Sequence, residues 1–263
     1  MTNAQLLALY DKEMRIEVEY PGIRKEILEH VVRFTGTPEP NGCNFVLFSS
    51  LNNDNTDQVI EAQIRYFQSI GHPFEWKAYD HDQPADLRHR LSAHGLVLPE
   101  SADAIMALEL SEAPQILLEP VKADVRRLTD PDQLAQLLPV LETVWEEEFG
   151  WLLSILGNDM HSNPDFLSVY VGYVNNEPAC TGWINFHPNS HFASVWGGST
   201  LPQYRRQGLY TAVMAARVQE AIQRGFDYLA VDASPMNRPI AASRGFQLLT
   251  YAHACKWQPE QSS

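Results

Sequence analysis

The sequence is short of cysteine, of long apolar runs and of basic charge, and each shortage excludes something. Its three cysteines, Cys43, Cys180 and Cys255, are odd in number, far apart and without the close spacing of metal ligands. They read as reduced thiols, and neither a disulfide framework nor a metal site is expected. No apolar stretch approaches the roughly 20 residues needed to cross a bilayer, so no membrane partner is expected. The chain reaches Asp11 and Glu13 with no basic leader before them, which argues against a signal peptide and for a cytoplasmic setting. Lys and Arg number 19 against 33 Asp and Glu, a formal net charge of −14. Such a surface repels phosphate backbones, and nucleic acid is not an expected partner. Neither GxxxxGK[ST] nor GxGxxG occurs, so the chain has neither a P-loop nor a dinucleotide fingerprint.

What is present is a chain of 263 residues, about right for two modest domains or one large one. Acidity is concentrated in residues 1–120, where 9 basic residues face 19 acidic ones; over 121–263 the numbers are 10 and 14. The second part has the clearer pattern. VKADVRRL (121–128) reads as a strand, and 134–149 as a helix. FLSVYVGYV (166–174) is apolar, β-branched or aromatic almost throughout, as in a strand covered on both faces. Asn175-Asn176 then predicts a hairpin into PACTGWINF (178–186). The turn His187-Pro188-Asn189-Ser190, where exposed histidines are expected, leads into HFASVWGGST (191–200). A helix to about Arg224, a buried strand (226–233), a short helix (237–245) and a closing β segment (246–257) complete the order.

The first part contains a faded copy of that ending. VIEAQIRYFQSIG (59–71) is an amphipathic helix with Ile60, Ile64 and Phe67 on one face. FEWKAYD (74–80) parallels FDYLAVD (226–232), ADLRHRLSAHGL (85–96) parallels PIAASRGF (239–246), and ADAIMALEL (102–110) parallels YAHACKW (251–257). Four matches in order suggest duplication of a half-domain.

The copies differ before their first helix. The second has LPQYRRQGLY (201–210), with two arginines and a glycine in an acidic chain, and the first has NNDNTD (52–57). A glycine loop at a helix start presents several backbone N–H groups and the positive end of the helix dipole, a cradle for phosphate oxygens. From spacing alone, an anion site and an ordinary exposed turn both remain open.

Thr200-Leu201-Pro202-Gln203-Tyr204-Arg205-Arg206-Gln207-Gly208-Leu209-Tyr210 resembles the cofactor loop of the GNAT superfamily of acyl-CoA N-acyltransferases. The family signature is Q/R-x-x-G-x-G/A with a proline three residues upstream; Arg205 fills its first position and Gly208 its fourth. Arg206 stands where a glycine is usual, and Tyr210 where Gly or Ala is. Residues 121–257 follow the family's element order, from Val125, Arg126 and Leu128 to Gly245-Phe246, and Asn237 matches an asparagine common after the fifth strand. The resemblance implies an α/β fold with a GNAT-like mixed central sheet and flanking helices over 121–263. It also implies a degenerate GNAT-like α/β domain over 1–120 that lacks the cofactor loop.

The activity implied by the resemblance is acetyl transfer from acetyl-CoA to a primary amine, on a small molecule or an exposed amino group, by direct attack on the thioester, with no metal. The pyrophosphate would rest on N–H groups of Arg205, Arg206, Gln207, Gly208, Leu209 and Tyr210. The pantetheine arm would lie along Ser199, Thr200 and Leu201, in a gap between the fourth and fifth strands. Gly197-Gly198 reads either as a bulge or close backbone approach there, or as relief of crowding beside Trp196. The family's usual acid, a tyrosine, is Ala241 here; Ser234, Ser243 and Tyr210 are the nearby hydroxyls. The run Trp145-Glu146-Glu147-Glu148-Phe149-Gly150-Trp151 falls where the family forms its acceptor wall. There Trp145, Glu146 and Trp151 would bind a cationic amine and Glu147 or Glu148 would act as base, with a solvated helix end as the alternative. The lost tyrosine leaves a second class open, a non-catalytic acyl-CoA-binding or sensing module. The oligomeric state is left open between a single chain and a homodimer.

Overall fold

The computed structural model describes residues 1–39 and 42–259. In chain order the elements are α1 (Asn3–Tyr10), running into a π-helical turn (Asp11–Glu17), β1 (Arg24–Ile27), β2 (Val31–Thr35), β3 (Phe45–Ser49), α2 (Thr56–Ile70), β4 (Phe74–Tyr79) and α3 (Leu87–Ala93). They continue with β5 (Asp103–Glu109), α4 (Gln115–Leu118), β6 (Val125–Leu128), a 3₁₀ segment (Pro131–Leu137), α5 (Leu138–Trp145), α6 (Gly150–Ser162) and β7 (Leu167–Val174). The last are β8 (Glu177–Phe186), β9 (Phe192–Thr200), α7 (Leu209–Gln223), β10 (Tyr228–Ala233), α8 (Arg238–Ala242) and β11 (Gln247–Trp257). Among the described residues, no helix is long and apolar enough to cross a membrane.

These elements form two compact units that interleave in sequence. One contains Met1–Ile105, Ala233–Pro239 and the chain from Leu248 onward; the other contains Met106–Asp232 and Ile240–Gln247. The first unit therefore holds the chain's closing strand, and the second holds the Met106–Glu109 end of β5.

In the first unit the strand order is β1-β2-β3-β4-β11, with β3 and β4 parallel and β11 antiparallel to β4. The amphipathic pattern of α2 is realised: Ile60 and Phe67 are fully buried and Ile64 is packed against the same core, with Trp76 and Leu91. Phe67 stacks on Phe74 at 4.4 Å.

In the second unit the order is β10-β9-β8-β7-β6, and β5 lies beside β10. β7 is buried along nearly its whole length, as its apolar run predicts. The β7–β8 hairpin turns on Asn175 and Asn176, both left-handed (φ 50° and 68°), with Val174 opposite Glu177. Asparagine tolerates that conformation, which matches the twist of the strands. α7 packs close to β7 because Gly172 has no side chain; a Cβ there would lie 2.9 Å from Leu209.

Two local expectations change. The helix expected over 134–149 is a 3₁₀ segment followed by α5, which ends at Trp145 because Glu146 turns left-handed (φ 56°). A separate helix, α6, then begins at Gly150. His187 is not an exposed turn residue: it is 1% exposed, its Nε2 is 2.8 Å from Ser194 Oγ, and its ring meets Phe166 edge-on. Burial pulls its pKa down to about 4 from the ordinary 6.5. The folded protein thus binds this proton less readily than the unfolded chain, so His187 lowers stability as pH falls from 6.5 towards 4. The loss amounts to roughly 3 kcal/mol. A His187→Gln variant should lack this component of the pH dependence, measured by urea unfolding at pH 7 and pH 4. Equal slopes in the two proteins would refute it.

Candidate functional site

The loop from β9 to α7 is one 3₁₀ turn (Pro202–Tyr204) followed by a left-handed pair. Arg206 has φ 61° and Gly208 has φ 83°. The Arg206 conformation is that of a glycine position, the role its place in the signature implies. Above Gly208 the space is open, with nothing within 4 Å of where a Cβ would stand. Ala212 N–H is the first to bond back, to Gly208 C=O at 3.0 Å, so the N–H groups of Leu209, Tyr210 and Thr211 lie ahead of the helical ladder. Among the described residues no side chain caps this helix.

Three arginines stand at this end. Arg205 and Arg206 are in the loop, and Arg205 Nε donates to Thr200 C=O at 3.2 Å. The third is Arg244, which no motif in the sequence marks. Its Nη2 donates to Thr211 Oγ1 at 2.8 Å, and its buried Nε has no hydrogen-bond partner among the described residues. Cations at the positive end of a helix are unfavourable unless an anion joins them. The first unit does the opposite at the start of α2. There Asn52 Oδ1 accepts the N–H groups of Asp54 and Asn55, and Asp57 supplies a negative charge in the first turn. The N–H groups of Asp54, Asn55 and Thr56 are thus already taken, the last by Asn52 C=O at 3.3 Å, although α2 too lacks a side-chain cap.

The strand beside the loop opens a gap. β9 and β10 pair in parallel only through Phe192–Ser194 and Tyr228–Ala230, whereas β9 stays paired to β8 as far as Thr200. Beyond Ser194 one edge of β9 is therefore open to an extended ligand. Gly197 is left-handed (φ 62°), and a Cβ on it would strike the Trp183 ring at 1.7 Å. A Cβ on Gly198 would lie 2.9 Å from the Tyr210 ring. The glycine pair thus marks close approach by Trp183 and Tyr210. Burial raises the Tyr210 phenol above its ordinary value, which keeps it protonated at neutral pH.

On β9, Ser199 accepts a hydrogen bond from Trp145 Nε1 at 2.9 Å. The structure thereby joins a residue that the resemblance assigns to the acceptor wall with one that it assigns to the acyl arm. Trp151 stacks with Phe149 at 6.2 Å, and Trp145, Glu146, Glu147, Glu148 and Trp151 are all exposed. Gln207 is exposed and donates to Gln203 C=O, while Leu201 and Leu209 are buried. Ser234 and Asn237 belong to the other compact unit. Ser234 Oγ is buried without a hydrogen-bond partner among the described residues, and its C=O accepts the Asn237 N–H at 2.9 Å. Ser243 is exposed and donates to Ile240 C=O, and Ala241 is 3% exposed. Among the described residues no three His, Cys, Asp or Glu side chains group as metal ligands would.

An open-edged strand leading into an uncapped, arginine-rich helix start is the arrangement the signature implies. Residues 131–243 match the model of the Acetyltransferase (GNAT) family. The C-terminal half of this chain belongs to the GNAT family. Solved structures extend the likeness in fold beyond the GNAT half. A GCN5-related N-acetyltransferase from Kribbella flavida is 13% identical, with a TM-score of 0.68, covering 97% of this chain and 95% of its own. A functionally unknown conserved protein from Staphylococcus epidermidis ATCC 12228 is also 13% identical, with a TM-score of 0.71 and coverage of 97% and 99%. A tandem GNAT protein from the clavulanic acid biosynthesis pathway is 12% identical, with a TM-score of 0.60 and coverage of 100% and 96%. At such identity these likenesses establish the fold alone, and they bear out the mixed α/β GNAT-like class along nearly the whole chain. No curated protein sequence matches the chain.

Proposed function

We propose that the chain is an acyl-CoA-dependent N-acyltransferase that moves an acetyl group from acetyl-CoA to a cationic primary amine. The observation that carries this reading is the presence of Arg205, Arg206 and Arg244 at the uncapped start of α7, beside the open edge of β9. Acetyl-CoA supplies an activated thioester and, in its pyrophosphate, the anion this end requires. The N–H groups from Arg206 to Tyr210 would hold the phosphates. Ser199 and Thr200 would present strand edge to the amide groups of the arm, whereas Leu201 already donates to Ala179 C=O and accepts from Tyr204 N–H. With Ala241 at the usual tyrosine position, Tyr210 beside Gly198 is the protonated phenol available to the leaving thiolate.

The amine would be met by Trp145, Trp151 and the glutamates of 146–148, through charge and cation–π contact. Ser234 and Asn237, which belong to the other unit, take no part in this reading. The acidic start of α2, with Asp54 and Asp57 and neither arginine nor glycine in NNDNTD, supports one cofactor per chain and a first domain without its own.

A panel of acyl-CoA donors and amines, read by free-thiol release, tests the proposal. Cationic amines should be accepted, with one acetyl-CoA per chain by calorimetry. A variant with Glu146, Glu147 and Glu148 all changed to Gln should raise KM for the amine about tenfold without altering acetyl-CoA affinity. A fall in kcat instead would place a general base there, and no change in either constant would make the run a solvated turn. Because Ala241 replaces the tyrosine, a second reading is an acyl-CoA sensor: tight binding with no thiol release for any amine would establish that reading.

A further inference from the structure

Arg217 of α7 is the least expected charge in the second unit. It is 1% exposed, and among the described residues it has no carboxylate partner and its Nη2 has no hydrogen bond. Burying an unpaired guanidinium is costly, and a chain of net charge −14 has many carboxylates with which to pair one. The room for it is built in: a Cβ on Gly182 would lie 2.8 Å from Arg217 Cζ.

The guanidinium donates to carbonyls instead. Nη1 donates to Trp183 C=O and to Trp196 C=O, each at 3.2 Å, and Nε donates to Val213 C=O at 3.3 Å. Trp183 and Trp196 face each other across β8 and β9, where the register shifts between Thr181 and Trp183. One residue further on, Thr181 Oγ1 donates to Gly197 C=O at 2.9 Å. Two successive carbonyls of β9 are thus held by side chains at the place where β9 has already left β10.

In a trans peptide the N–H points opposite to the C=O. With the Trp196 carbonyl drawn to Arg217, the Gly197 N–H is directed away from α7. With the Gly197 carbonyl drawn to Thr181 of β8, the Gly198 N–H is directed away from β8, towards the side where β10 has diverged. A hydrogen bond accepted by a carbonyl also polarises its peptide and makes the N–H a better donor, more so in a buried setting and from a cation. We infer that Arg217 and Thr181 are positioning residues, which hold the β9 bulge so that the Gly197 and Gly198 N–H groups face and polarise the thioester carbonyl. This rests on the acyl-CoA reading above. It also gives the unpaired charge a use: the positive field lies behind the peptides that would meet developing negative charge.

The test uses acetyl-CoA labelled with ¹³C at the acetyl carbonyl, read by infrared difference spectroscopy of the bound complex, with affinity measured by calorimetry. In the wild-type protein the carbonyl band should lie below its position in water. Thr181→Val should lose roughly a tenth to a third of that displacement while acetyl-CoA affinity stays within about threefold. Thr181→Ser, which keeps the hydroxyl, should restore the wild-type band. Arg217→Lys keeps the charge but cannot span both carbonyls, and should also move the band towards its value in water. With an accepted amine, Thr181→Val should lower kcat about tenfold, less than the hundredfold or more for loss of a donor itself. A displaced wild-type band unchanged in Thr181→Val overturns the inference. So does loss of band and affinity together in both Thr181 variants, which would make the role merely structural. A wild-type protein that binds acetyl-CoA with an undisplaced band overturns the inference alone; one that does not bind acetyl-CoA overturns the acyl-CoA reading and the inference with it.

Discussion

Gly208→Val should weaken acetyl-CoA binding at least about tenfold, or about 1.4 kcal/mol or more. Gly208 sits at φ 83°, where an L-residue costs roughly 1–2 kcal/mol and a β-branched one is a genuine outlier. Valine can escape only by rotating the loop, which swings the N–H groups ahead of α7 out of line. The space above Gly208 is open, so the substitution meets no clash inside the protein itself. Gly208→Asn separates the two effects, because asparagine accepts the left-handed conformation with little strain. Both variants place a side chain where the phosphates would lie, so both should lose affinity, and only valine should also lower the melting temperature. Calorimetric titration alongside thermal melts reads both. Unchanged affinity in folded variants would remove the cofactor-loop assignment.

Glu220→Ala should destabilise the fold by about 3–5 kcal/mol, the range for removing one partner of a buried charged network. Glu220 Oε1 accepts from Ser168 Oγ at 2.9 Å and from Arg224 Nη2 at 2.7 Å, and Oε2 accepts from the Tyr170 hydroxyl at 2.6 Å. Alanine would take the carboxylate acceptor from two buried hydroxyls and from the partly exposed Arg224, which keeps its bond to Asp165 C=O. Burial acts to raise the Glu220 pKa, but hydrogen bonds from Tyr170, Arg224 and Ser168 outweigh it and leave the pKa below the ordinary value of 4.5. A carboxylate depressed on folding contributes stability above its unfolded value and loses it as pH falls through its folded value. The variant should therefore be less stable at neutral pH and have a shallower acid limb below pH 4.5. Denaturant unfolding across that range checks both, and a loss under about 1 kcal/mol would mean the network is hydrated and replaceable.

Much of the second half could be read along the chain because its signals are local. The Asn175-Asn176 turn, the apolar run of β7 and the glycine ahead of α7 each depend on the conformations a few adjacent residues favour. Those preferences survive packing. The misplaced end of α5 shows the limit. Three glutamates after Trp145 favour continued helix, yet Glu146 takes a left-handed turn. α6 went unread because Gly150 and Gly157 weaken its propensity and its apolar residues lack clear alternation with polar ones. β1, β2 and β3 are only 4, 5 and 5 residues long, and although Pro21-Gly22 and Asn41-Gly42 stand beside them in the sequence, runs so short show little periodicity.

The sequence by itself determined the loop before α7, the order of elements around it and the contrast between LPQYRRQGLY and NNDNTD. Each of these is a matter of residue type at short spacing, decided by backbone conformation and charge. Tertiary structure alone decided which side chains complete the candidate site. Arg244 comes to Thr211 across 33 residues, Trp145 reaches Ser199 across 54, and Arg217 enters the space left by Gly182 beneath the β9 bulge. It also decided that β11 closes the sheet of the first unit. Contacts at such separations are chosen by whole surfaces fitting together and by buried polar groups finding partners, and no short window of sequence records that choice.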